Sequence, residues 1–158
     1  MSLSDRFMTV LLVEPDPLAR EVLSLALRGL TPETVVMEAG DGLEALDQVG
    51  ALKPQAALVN LLLPRLSGLD TIRQLRTRLG ADFPVVAMSA LGLREIVQQA
   101  IAAGASDFIV RPCDPARAVE KVRAALARTA AAARAAIPPQ PAVGRPAAHP
   151  PRLGAAQL

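Results

Sequence analysis

The sequence predicts an α/β protein: one doubly wound parallel sheet with helices on both faces. Three observations carry this. Short apolar runs alternate five times with stretches of helical periodicity. The strand runs read as continuously apolar rather than alternating, as expected when both faces of a sheet are covered. Parallel neighbours then require helical crossovers of one hand. The length, 158 residues, is that of one domain.

Composition narrows the class. Half of the chain is apolar, but aromatics are limited to Phe7, Phe83 and Phe108. The core must therefore be built from Leu, Val, Ile and Ala. A single cysteine, Cys113, cannot close an intramolecular disulfide, which fits a reducing compartment, and it reads as a buried structural thiol. No apolar run approaches the roughly 18 residues of a membrane span. The start lacks the basic and apolar blocks of a secretory signal. A cytoplasmic protein that does not engage a membrane is expected. Charge is uneven: residues 111–158 carry a net +6 and residues 1–110 a net −4. That asymmetry suits an acidic partner or nucleic acid, but the preferred reading is a solvated Ala/Arg helix with a tail.

Taken in order, Met8–Val13 is an apolar, β-branched run and the first strand. Asp16 and Pro17 follow as N-cap and first-turn proline. Leu18, Val22 and Leu25 recur at helical spacing as that helix's apolar face, and Gly29 is the stop. Thr34–Ala39 is the second strand. Asp41 caps the next helix, with Glu44 reaching back three residues later. Leu43, Leu46 and Val49 form its apolar face. Ala56–Asn60 is the third strand, and Ser67 caps a helix carrying Leu69, Ile72, Leu75 and Leu79. The fourth strand is read over 83–89 and the fourth helix over 93–103, with Ile96, Val97, Ala100 and Ile101. Asp107–Val110 is the fifth strand. Asp114 and Pro115 open the last helix, which carries Val119, Val122 and Leu126 as far as Ala136.

From Ile137 onward the chain holds six of its fourteen prolines and no apolar periodicity. Such a segment cannot bury enough surface to offset its ordering entropy. The expected organisation is a flexible start at 1–6, a folded domain over 7–136 and a Pro/Ala-rich disordered tail at 137–158. The sole histidine, His149, lies in that tail without partner ligands.

Sheets of this kind place their chemistry at the C-terminal ends of the strands. Those ends read "VEPDP" after strand one, "VNLLLPRLSG" after strand three, "MSA" after strand four and "FIVRP" after strand five. Together with "AGDGLEAL" and "AAGASDF", these motifs resemble the receiver domain of bacterial two-component response regulators, over roughly residues 7–128. The resemblance implies a flavodoxin-like (βα)5 fold with strand order 2-1-3-4-5. It also implies a site in which an aspartate ending strand three accepts a phosphoryl group. Two acidic residues after strand one hold Mg²⁺, a Ser or Thr ends strand four, a Lys precedes the strand-five Pro, and an aromatic on strand five switches.

Carried onto this chain, the phosphoacceptor position is Asn60 and the acidic pair is Glu14 and Pro15. Ser89 keeps the hydroxyl, Arg111 replaces the lysine before Pro112, and Phe108 holds the switch position. Pro64 and Gly68 keep the loop after strand three. An acyl phosphate needs a carboxylate nucleophile, which an amide is not. Mg²⁺ prefers carboxylate oxygens, and Pro15 supplies none. Arg is no neutral exchange for Lys. Asn60 alone would fit an engineered Asp→Asn change, but that change explains neither Pro15 nor Arg111, whereas a naturally degenerate site accounts for all three. Arg111 is expected to bond either Glu14 or the carbonyl of Asn60. Asp16 is expected to cap the first helix rather than bind metal.

These readings point to a non-enzymatic pseudo-receiver with Mg²⁺ binding lost or very weak, working through a protein partner such as a histidine kinase or another signalling protein. No output domain fits into the last 22 residues. The resemblance implies a partner face, and a homodimer, on helix four, strand five and helix five, with Val97, Asp107, Arg117, Lys121 and Arg128 as candidates and Ile101 beside them. Two other functions compete: a conventional regulator with an atypical phosphorylation and Mg²⁺ site, and a nucleic-acid-associated protein using the basic end. The last lacks a recognition motif and stacking aromatics.

Overall fold

The computed structural model describes residues 7–141 and Gly144. The expected flexible start at 1–6 and the rest of the Pro-rich segment, His149 included, lie outside the described residues. The elements run β1 (Met8–Val13), α1 (Pro17–Leu27), β2 (Thr34–Ala39), α2 (Gly42–Ala51), β3 (Ala56–Asn60), α3 (Gly68–Leu79), β4 (Val85–Ser89), α4 (Arg94–Ala103), β5 (Asp107–Val110) and α5 (Pro115–Ala135). All strand pairs are parallel, in the order β2-β1-β3-β4-β5. This is the fold that the sequence predicts.

Local chemistry starts most of the helices. Asp16 accepts from the Ala19 N–H at 3.0 Å, Asp41 from Glu44 at 2.9 Å, Ser67 from Asp70 at 3.1 Å and Asp114 from Ala116 at 2.9 Å. Each such cap contributes about 1 kcal/mol. Glu44 does reach back, but to the N–H of Gly40 (2.9 Å), one residue before the cap. Only α4 starts without a side-chain cap.

Two cores sandwich the sheet, divided by the period-two alternation of the strands. On one side Leu11, Val13, Ala57, Val59, Val85 and Ala87 meet α2, α3 and α4 through Leu46, Ile72, Leu75 and Ala100. On the other, Val10, Leu12, Leu58, Val86, Met88 and Ile109 meet α1 and α5 through Leu23, Leu27, Ala118 and Val122. Each fully buried Leu, Ile or Val contributes about 1.5–3 kcal/mol, and these cores fix where the strand ends lie.

The packing departs from the sequence reading in several places. Leu18, Val22 and Leu25 are not the core face of α1; they stand 70%, 43% and 61% exposed. The buried face is Leu23, Ser24 and Leu27. Helix α1 has two apolar stripes, and packing against α5 selects the second. Leu43 is likewise exposed, and Ala45 takes its place in the core. Strand β2 alternates between buried and exposed because it is an edge strand. Strand β4 begins at Val85 rather than 83. Pro84 has no N–H for the ladder, although its carbonyl still accepts from Ala57 at 3.0 Å. Helix α4 begins at Arg94, with Leu93 as N-cap. Cys113 is half-buried, packed against the α1–α5 core.

Gly68 brings the first turn of α3 directly onto the end of β3. Its N–H donates to the Leu61 carbonyl at 3.0 Å, and a Cβ there would overlap the Leu61 backbone and the Asn60 carbonyl. In α2, by contrast, a Cβ on Gly50 would meet nothing within 4 Å. Gly68→Ala should therefore destabilise by about 1–3 kcal/mol. Gly50→Ala should stabilise by about 0.5–1 kcal/mol. Thermal unfolding of the two variants checks both signs, and equal effects would contradict this packing.

Candidate functional site

The C-terminal ends of the strands gather Glu14, Asn60, Ser89 and Arg111 at one edge of the sheet. Glu14, just beyond β1, is 1% exposed. Its carboxylate accepts three hydrogen bonds. Arg111 Nη1 donates to Oε2 at 2.6 Å as an ion pair, Asn60 Nδ2 donates to the same oxygen at 3.0 Å, and the Asp16 N–H donates to Oε1 at 3.2 Å. The Glu14 carbonyl accepts from Arg20 Nη1 at 2.7 Å.

Both ends of the Asn60 amide are engaged. Its Oδ1 accepts from the Leu62 N–H at 2.9 Å while its Nδ2 faces Glu14. Only this orientation pairs a donor with the carboxylate and an acceptor with the backbone N–H. A carboxylate in the same place would set two anions against each other. Of the two expected partners, Arg111 takes Glu14, and the carbonyl oxygen of Asn60 is taken by Leu62.

Ser89 is buried and joins this edge differently. Its Oγ accepts from the Leu91 N–H at 3.1 Å, and its carbonyl accepts from the Arg111 N–H at 2.9 Å. Pro15 lies next to Glu14 and offers no side-chain donor or acceptor. Asp16 caps α1, as expected. Phe108 is half-buried against the α2–α4 core. A cavity of about 320 Å³ opens beside Asn60, Ser89 and Arg111, walled by Leu62, Leu91 and Ile96.

The side chains at this edge do not fit Mg²⁺, which takes oxygen ligands in near-octahedral geometry. Both Glu14 oxygens are occupied by N–H donors, Asn60 turns its NH2 group inward, and the Arg111 guanidinium stands against the one carboxylate. Among the described residues no three His, Cys, Asp or Glu side chains are grouped as metal ligands.

The sequence reading missed Arg20 and Leu62 as parts of this edge. Arg20 belongs to no motif and meets Glu14 only because α1 folds back over β1. The role of Leu62 is carried by its backbone, which leaves no trace in side-chain identity.

On the α4–β5–α5 side, Asp107 pairs within its own chain with Lys121 at 3.1 Å and Arg128 at 3.9 Å. Arg117 is exposed and makes no ion pair among the described residues. Val97 is half-buried and Ile101 is 58% exposed.

Beside the site, Arg65 adopts a left-handed backbone (φ 65°), which is uncommon outside glycine. Its Nε and Nη2 donate to Asp41 Oδ2 at 3.0 and 2.5 Å, tying the loop after β3 to the start of α2. The N–H of Glu44, and after it the Arg65 side chain, hold the Asp41 carboxyl below its ordinary range.

The response regulator receiver domain description matches residues 10–123 of the chain. The chain belongs to the receiver-domain family. Its relatives include the DNA-binding response regulator MtrA of Mycolicibacterium smegmatis, 37% identical over 119 residues, covering 75% of this chain and 50% of that protein. The response regulator MprA of Mycobacterium avium is 36% identical over 127 residues, covering 77% and 52%. The chain spans about half the length of the curated relatives it matches. Among solved structures, a response regulator from Chloroflexus aurantiacus superposes with a TM-score of 0.70 at 32% identity, over 77% of this chain and 98% of that one. The receiver domain of the Pseudomonas aeruginosa histidine kinase PA1611, solved with a magnesium ion in its active-site cleft, superposes with a TM-score of 0.67 at 26% identity, over 76% and 98%. No helix among the described residues of this receiver domain is long and apolar enough to cross a membrane.

Because its folded-state pKa is lowered, Asp41 contributes stability above the ordinary value of 3.8, and the contribution is lost as pH falls through the lowered value. Asp41→Asn should therefore be less stable than the native receiver domain at pH 7, and the gap should narrow below pH 3.8. Denaturant titrations at both ends of that range check the sign.

Proposed function

We propose that this receiver domain signals without phosphorylation, as a non-enzymatic protein–protein interaction module of a bacterial two-component-type pathway. The supporting observation is the amide of Asn60, which donates to Glu14 at 3.0 Å from the strand end where the family's phosphoacceptor stands. An amide nitrogen bound to a carboxylate has no anionic oxygen with which to attack a phosphodonor. Arg111 and Pro15 leave Glu14 as a neutralised carboxylate rather than one arm of a metal site.

The partner is a histidine kinase or another signalling protein, and it meets α4, β5 and α5. On this face Asp107 is already paired with Lys121 and Arg128, so a two-fold dimer of the receiver domain would have to compete for charges engaged within each chain. Arg117 is left for an acidic partner. Exposed charge pairs contribute only about 0–1 kcal/mol each, so Val97 and the exposed Ile101 supply the apolar part. Ser89 and Phe108 keep one arrangement, set by packing rather than by a phosphoryl group.

Incubation with acetyl phosphate and Mg²⁺ should leave the intact mass unchanged, and Asn60→Asp alone should behave the same. The pair Pro15→Asp with Asn60→Asp is the minimum expected to bind Mg²⁺. A stoichiometric, base-labile phosphoryl adduct on the native protein would overturn the reading. In binding measurements with an isolated partner, Arg117→Glu should weaken the complex without moving the melting temperature, while Asn60→Ala leaves binding intact. A partner indifferent to Arg117→Glu, Lys121→Glu and Val97→Arg alike engages another face.

A further inference from the structure

We propose, resting on the phosphorylation-independent reading of this pocket, that the Arg111 guanidinium is a built-in cation. It neutralises Glu14 permanently and thereby makes the state of the pocket independent of divalent ions. The geometry is specific. The Glu14 side chain is 2% exposed, and among the described residues its only ion pair is Arg111 at 2.6 Å. The other two groups on the carboxylate, the Asp16 N–H and the Asn60 amide, are neutral donors. Arg20 lies close by, but its bond goes to the Glu14 carbonyl. A buried carboxylate without a counter-charge is strongly disfavoured, so Arg111 carries the neutralisation.

Arg111 is also anchored at its other end. Its N–H donates to the Ser89 carbonyl at 2.9 Å, so one residue links the ends of β4 and β5 to β1, across the end of β3. A divalent ion approaching Glu14 would have to displace a guanidinium paired with that carboxylate at 2.6 Å, on a residue whose backbone is fixed to the end of β4. A free ion exchanges with solvent and answers to its concentration. A side chain does neither. Partner binding should therefore be the same in EDTA and in millimolar Mg²⁺.

The test uses the full chain and thermal unfolding in EDTA, in millimolar Mn²⁺ and in millimolar guanidinium chloride. The native melting temperature should not respond to either cation. Arg111→Ala should melt about 10 °C lower, and either cation should restore about 2 °C or more by binding the orphaned carboxylate. Removing both charges in Glu14→Gln with Arg111→Met should recover stability relative to Arg111→Ala. If Arg111→Ala does not fold, a folded double variant supports the proposal and an unfolded one overturns it. An Arg111→Ala protein as stable as the native one overturns it too. So does a destabilised Arg111→Ala protein that neither cation nor the double variant rescues, or a native protein that responds to Mn²⁺ as strongly as Arg111→Ala. An adduct with acetyl phosphate bears only on phosphorylation independence, and the cation series bears only on Arg111.

Discussion

A carboxylate buried to 1% exposure at the end of a parallel sheet must be neutralised where it sits, and the architecture of this edge follows from that demand on Glu14. Three donors converge on it from three parts of the chain: the backbone at Asp16, the amide at Asn60 and the guanidinium at Arg111. Removing one partner of such a buried pair typically costs about 3–5 kcal/mol, because the remaining charge is stranded. The exposed pair Arg73–Asp70, at 2.8 Å, is nearly as short but contributes about 0–1 kcal/mol at most. Burial, not distance, separates the two cases. It also explains why β3 ends in an amide. In this setting Asn60 gains a hydrogen bond where an aspartate would meet repulsion.

The scaffold makes the convergence possible. Glu14 and Asn60 are 46 residues apart and Glu14 and Arg111 are 97 apart. No local structure would bring them together. The sheet does, because the β2-β1-β3-β4-β5 order sets β3 beside β1 and lets Arg111 reach back over the strand ends from beyond β5. The two cores hold those ends in register. Gly68 lets α3 close onto β3 without a side chain in the way, and the Arg65–Asp41 pair offsets an unfavourable backbone conformation beside the site.

The surface divides into regions of different character. Around the cavity, Leu62 and Leu91 are exposed next to polar Asn60, Ser89 and Arg111. On α1 the exposed Leu18, Val22 and Leu25 form an apolar stripe. On the α4–β5–α5 side, charge is largely satisfied internally around Asp107, with Arg117 standing apart. The basic excess of the last third of the sequence is therefore partly consumed within the fold rather than presented as one continuous field.

The sequence by itself determined the elements, their order and the identity of the residues at the strand ends. Strands β1, β2, β3 and β5 occupy the spans of largely apolar residues read from the sequence, and the caps at Asp16, Asp41, Ser67 and Asp114 act within a few residues of themselves. Such signals are local and survive in one dimension. Only the tertiary structure decided which of two apolar stripes on α1 enters the core, that β2 exposes Val35 and Glu38 at the sheet edge, and which partner Arg111 takes. It also decided that Asn60 turns its nitrogen to Glu14 and its oxygen to the backbone of Leu62. The reason is physical. Periodicity records the spacing of apolar residues along one element, and residue type records what a side chain can bond. Neither records which distant neighbour arrives to cover a face or to claim a donor, and at this site Glu14, Asn60 and Arg111 come from three different strand ends.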